Sequence, residues 1–117
     1  MAELRREGED LVVVLSGIEK AEAAHGDVRV PASSVRGVEV VDDAYDAVSG
    51  LKVIGSRWPG RFAIGTFLAG GSTKTFAVVH HDTPRGVRVR LEGAGYDELV
   101  VGCADPEGTA RQLASTS

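Results

Sequence analysis

"VRVRLEGAGYDELVVGCADPEGTARQLA", residues 87–114, decides the fold class. Val87, Val89 and Leu91 alternate with Arg88, Arg90 and Glu92. That is the period of a strand with one core face and one wet face. Gly93-Ala94-Gly95 turns the chain, and "ELVVGCA" (98–104) reads as the last strand. Asp105 then stands as an N-cap with Pro106 in the first helical position. Ala110, Leu113 and Ala114 share one face, so the chain closes on a short amphipathic helix.

Working outward, "KTFAVVHH" (74–81) is a strand, joined by a Gly70-Gly71 hairpin turn to "FAIGTFLA" (62–69). Gly65 inside that run implies a bulge or a close backbone approach. A short strand is expected at 51–54, preceded by a loop or single helical turn in which Tyr45 packs on the sheet. "VRGVEVV" (35–41) is a strand, and "VRVP" (28–31) is one that Pro31 confines to an edge or a strand end. Ser16 and Glu19 have the spacing of a capping box and open a helix over 17–25, with Gly26 at its C-terminal end. "LVVVLS" (11–16) is the first strand. The sum is a mostly β (α+β) domain of about seven antiparallel strands, since hairpin-length links favour antiparallel order. It has a short helix after its first strand and a C-terminal capping helix. Residues 1–10 read as a flexible N-terminus, 11–114 as one domain and 115–117 as a tail.

Composition agrees. The 117 residues fit one domain, and fifteen glycines with abundant valine suit short strands and tight turns better than a helical bundle. One cysteine, Cys103, allows no internal disulfide. The charged start lacks an apolar signal region, and no apolar run approaches the ~20 residues of a membrane span, so a cytoplasmic setting is expected. A net charge of −4 argues against nucleic acid as the main partner.

Several segments together resemble the pleckstrin-homology-like (PH-like) proteins of actinobacteria. They are "SGIEKAEAAHGDVRVP", "VRGVEVVDDAYDAVSGLKVIG", "PGRFAIGT" and "VRVRLEGAGYDELVVGCADPEGTARQL", covering roughly residues 11–114. The most specific parts are Pro59-Gly60 before Gly65-Thr66, and Tyr96-Asp97 with Asp105-Pro106-Glu107. The resemblance implies a PH-like barrel, a curved antiparallel sheet capped by the C-terminal helix. It brings a fold and little chemistry, because members mostly lack an assigned activity. Phosphoinositide-binding domains of this type hold phosphates with Lys and Arg near the first inter-strand loop. Here residues 17–27 offer Lys20 against Glu19, Glu22 and Asp27, so phosphoinositide binding is not expected.

Motifs for chemistry are weak. "GAGYDE" lacks the third glycine of a dinucleotide fingerprint, and "GGSTKT" lacks P-loop spacing, so no cofactor is expected. His80, His81 and Asp82 suggest a metal at first sight, but adjacent strand residues point to opposite faces. Exposed strand-end histidines are the better reading, and no metal site is assigned. Cys103 shares parity with Leu99 and Val101 and reads as a small core residue, not a nucleophile. Arg88 and Arg90 read as a solvated face with cross-strand ion pairs.

"GSRWPGRFAIGT" (55–66) is the best site candidate. Lys52, Arg57 and Arg61 flank Trp58, the sole tryptophan, in an otherwise acidic chain. Trp and Arg are the residue types enriched at interface hot spots. The same stretch also reads as a strand entrance in which Pro59-Gly60 sets the turn and Trp58 covers the end of the barrel. The expected function is a non-catalytic binding or scaffold module, acting through protein–protein contacts or self-association at open sheet edges. The alternative is a carrier or sensor of a small anionic or acyl ligand held at Arg57, Trp58 and Arg61. A third hypothesis, an enzyme using His80, His81 and Cys103, has no motif behind it.

Overall fold

The computed structural model describes residues 3–23, 26–48, 51–58, 61–69, 73–80 and 82–114; of 22–23, 46, 51–54, 57–58, 69 and 114 it describes the backbone alone. In chain order the elements are β1 (Glu3–Glu7), β2 (Asp10–Val14), α1 (Gly17–Ala23), β3 (Val28–Pro31), a 3-10 turn (Ala32–Ser34) and β4 (Val35–Val41). Then come α2 (Ala44–Ala47), β5 (Leu51–Trp58), β6 (Phe62–Ala69), β7 (Thr73–His80), β8 (Gly86–Leu91), β9 (Glu98–Gly102) and α3 (Pro106–Ala114). The mostly β class is as expected, with nine strands among the described residues where about seven are expected.

The strands form two sheets, β1-β2-β3 and β4-β8-β9-β7-β6-β5, and among the described residues neither closes into a barrel. Every pairing is antiparallel except one: β9 runs parallel to β7. The all-antiparallel expectation fails there because a short link need not join neighbouring strands. Residues 81–85 connect β7 to β8, and five residues at ~3.3 Å each can cross two inter-strand spacings of ~4.8 Å. The slot left between β7 and β8 is filled by β9, which returns antiparallel to β8.

Nor is the N-terminus a free arm over its whole expected length. Glu3–Glu7 pairs with Val14–Asp10, and Leu4, 4% exposed, enters the core. The ion pairs Arg5–Glu7, Arg29–Glu7 and Arg29–Asp10 stitch the outer face of this sheet.

The two sheets share one core. Leu11, Val13, Val28 and Val30 of the small sheet pack with Ile64, Phe76, Val78, Val87, Val89, Leu99 and Val101 of the large one, and Leu113 of α3 joins them. The opposite face of the large sheet carries a second cluster, Ala63, Phe67, Ala77, Val79 and Val100, which the single turn α2 covers with Ala44 and Val48. Half-buried Tyr45 packs there too. With both faces covered, β9 is buried at all five residues and loses the alternation of β8. Each fully buried Val, Leu or Phe contributes about 1.5–3 kcal/mol, so these clusters dominate the stability.

Local chemistry fixes the helices. The Ser16 amide donates to Glu19 Oε1 at 2.9 Å while the Glu19 amide donates to Ser16 Oγ at 3.2 Å, a reciprocal capping box. The Gly108 amide donates to Asp105 Oδ1 at 3.1 Å, which makes Asp105 the N-cap of α3. No helix among the described residues is long and apolar enough to cross a membrane.

Gly65 marks a close approach. It stands opposite Gly55, and both have positive φ, 137° and 129°. A Cβ on Gly55 would lie 2.3 Å from the Ile64 carbonyl oxygen. The bulge of this hairpin lies elsewhere, between Lys52 and Ile54 of β5.

Candidate functional site

β5 is longer than the expected 51–54 and runs through "GSRW" to Trp58, so Lys52, Arg57 and Trp58 lie on a single strand. Among the described strands β5 pairs only with β6 and forms one edge of the large sheet. Arg61 is exposed, just before β6 begins. The stretch therefore belongs to β5 up to Trp58 and to β6 from Phe62, with Pro59 and Gly60 outside the described residues.

Register assigns the positions. Lys52 stands opposite Phe67, Arg57 opposite Ala63 and Trp58 opposite Phe62. Phe67 and Ala63 belong to the α2-side cluster, whereas Phe62 packs against the core between the sheets. Lys52 and Arg57 are five residues apart and would alternate faces in a regular strand. The bulge between them absorbs one residue and puts both positions in rows on one face. Position 58 falls in a row of the other face, and that row continues from Phe62 to His80.

At its far end the row meets α1. His80 Nε2 and Glu19 Oε2 are 2.8 Å apart, with the Glu19 side chain 3% exposed and the ring 28% exposed. His80 is thus not the exposed strand-end residue expected; a partner 61 positions away half-buries it. Sequence inspection missed Glu19 because its capping role accounted for it fully. His81 lies outside the described residues. Among the described residues no group of three metal-ligating side chains gathers.

Burial pushes the Glu19 carboxyl up, but the Ser16 amide, the His80 ring and the Ser16 hydroxyl together outweigh it and hold it below the ordinary glutamate range. A depressed folded value stabilises the protein above the ordinary range, near pH ~4.3, and this contribution fades as pH falls through the folded value. Glu19→Gln, which can keep both capping bonds, should cost about 1 kcal/mol at pH 7 and flatten the acid limb of stability. Urea midpoints between pH 3 and 7 measure this; equal slopes for both proteins would show that the Glu19 charge carries nothing.

The other candidates are tied into the fold by local contacts. Cys103 is half-buried, its thiol contacts the Val101 carbonyl oxygen at 3.3 Å, and desolvation pushes its ionisation up, away from a thiolate. Arg88 and Arg90 form the expected cross-strand pairs, but the face is not simply solvated. Arg88 donates to Glu98 Oε2 at 3.0 Å, and Glu98 is 7% exposed.

Charge is segregated along the chain. Residues 47–81 contain no Asp or Glu, and they hold Lys52, Arg57, Arg61 and Lys74. The remaining nine cations face all seventeen acids, so the acid-free stretch is +4 against −8 for everything else. That stretch is the flank β5-β6-β7 of the large sheet. Elsewhere most cations are met by acids at hand, among them Arg36 by Glu92, Arg85 by Glu107, Arg90 by Glu39 and Lys20 by Asp27.

No protein-family model matches the chain, and neither a curated protein nor a solved structure matches it.

Proposed function

We propose that the protein is a non-catalytic binding module of PH-like kind, set in the cytoplasm, which engages a protein partner by adding an extended segment to β5. One observation carries this reading: Lys52, Arg57 and Trp58 all fall on β5, an edge strand of the large sheet. An edge strand offers a row of main-chain donors and acceptors, and alternate side chains add specificity. Arg57 and Trp58 occupy successive strand positions, which alternate between faces. That arrangement suits an occupant running along the strand better than a small ligand clasped between the two. The PH-like kinship is supported by the mostly β class and by a helix that follows the last strand and buries Leu113 in the shared core.

The test is amide hydrogen exchange of the full chain with peptides selected from a random ten-residue display library. The expected result is slowed exchange across Leu51–Trp58, whose outer amides gain partners. Protection confined to β1, β3 or β4, or a library that yields no binder, would overturn the assignment. A small molecule that competes at Arg61 and leaves β5 exchange unchanged would favour the ligand carrier instead.

A further inference from the structure

Resting on the β5 reading, we infer that the partner segment is acidic and carries carboxylates four residues apart on one face. Three features point there. First, the edge belongs to the only flank of the sheet whose sequence has no acid of its own, while the rest of the chain is at −8. Arg61 is exposed there and meets no carboxylate among the described residues. Three carboxylates that touch this flank are committed: Glu19 is buried against His80 and Ser16, Glu98 is held by Thr75 and Arg88, and Asp97 accepts from the Lys74 amide. Exposed Asp82, just past β7, is the exception.

Second, the bulge sets a spacing. Lys52 and Arg57 stand opposite Phe67 and Ala63, four residues apart on β6. A regular strand laid along β5 stands beside both positions on one face only with residues i and i+4, because its own side chains alternate with period two. Residues i and i+3 fall on opposite faces.

Third, the charge excludes a second copy as the natural occupant. Two β5 strands paired antiparallel would bring Lys52 and Arg57 of each copy together, and like charges across a pair destabilise it. Nucleic acid would satisfy the cations but would face the −8 of the remaining chain.

The probes are labelled ten-residue peptides of alternating threonine and valine. One carries Glu at positions 3 and 7, one Gln at 3 and 7, one Lys at 3 and 7, and one Glu at 3 and 6. Binding is read by anisotropy at two salt concentrations, and the site by hydrogen exchange and the fluorescence of the single Trp58. The Glu3/Glu7 peptide should bind roughly three- to tenfold more tightly than the Gln peptide, as expected for two partly exposed ion pairs, with the gap closing in high salt. The Lys peptide should bind weakest and the Glu3/Glu6 peptide between. If the Gln peptide binds β5 equally well, the acidic partner is wrong and the edge reading survives. If Glu3/Glu6 matches Glu3/Glu7, the face assignment is wrong. If no peptide protects β5, the edge reading fails with it. A ten-nucleotide oligo-dT that outcompetes the Glu3/Glu7 peptide would replace the peptide with a nucleic acid.

Discussion

Gly55→Ala is expected to lower the unfolding free energy by about 2–5 kcal/mol, from overpacking and from backbone strain together. The site has no room on either count. At φ 129° an L side chain is strained, and the new Cβ would sit 2.3 Å from the Ile64 carbonyl oxygen and 2.7 Å from Gly65 Cα. Both obstacles are backbone, so no rotamer change relieves them. The strands can separate only by giving up ladder bonds between β5 and β6. Gly37→Ala is the control, because a Cβ there meets nothing within 4 Å. Such a change should fall within ~0.5 kcal/mol of wild type. Urea unfolding measures both, and hydrogen exchange shows whether the loss stays in β5. An alanine at 55 that costs under ~1 kcal/mol, with β5 still protected, would mean the two strands do not approach as described.

What could be read from the chain alone follows the reach of each interaction. Val87, Val89 and Leu91 gave β8 and its buried face, since alternation is local and that strand has one wet side. The Ser16–Glu19 box and the Asp105 cap were legible because their partners lie three residues away. β1 was not, because Leu4 is its one buried residue and a single apolar position makes no period. Strand order was equally hidden: nothing within residues 81–85 says that the link skips a slot. The site shows the same divide. Lys52, Arg57, Trp58 and Arg61 stood out by residue type, but the edge position of β5 and the bulge that aligns Lys52 with Arg57 are properties of the assembled sheet. Glu19 and His80, 61 residues apart, have no local signal joining them.

The second large effect is expected at Arg88, where Arg88→Met should cost about 2–4 kcal/mol. Glu98 sits on β9 between β7 and β8, and its side chain is 9% exposed. Thr75 Oγ1 donates to one oxygen at 3.1 Å, and the Arg88 guanidinium grips the other through Nε and Nη2, each at 3.0 Å. Methionine preserves the apolar stem and removes the two-bond fork, leaving the carboxylate one hydroxyl donor in place of three bonds. The Arg88 side chain is itself 33% exposed, and the water it admits keeps the cost below that of a fully enclosed pair. Adding Glu98→Gln should recover most of the loss, because a neutral amide tolerates the site where a lone carboxylate does not. A double-mutant cycle in urea should give a coupling above ~1.5 kcal/mol. Glu39→Gln is the contrast, since Glu39 meets Arg88 and Arg90 at 3.6 and 3.5 Å with its side chain 45% exposed. Its loss should cost under ~1 kcal/mol. The two acids touch the same arginine from the strands on either side of β8, and burial together with closer hydrogen bonding ranks Glu98 above Glu39. If Arg88→Met and Glu39→Gln prove equal, Glu98 is hydrated in solution and its network is surface electrostatics.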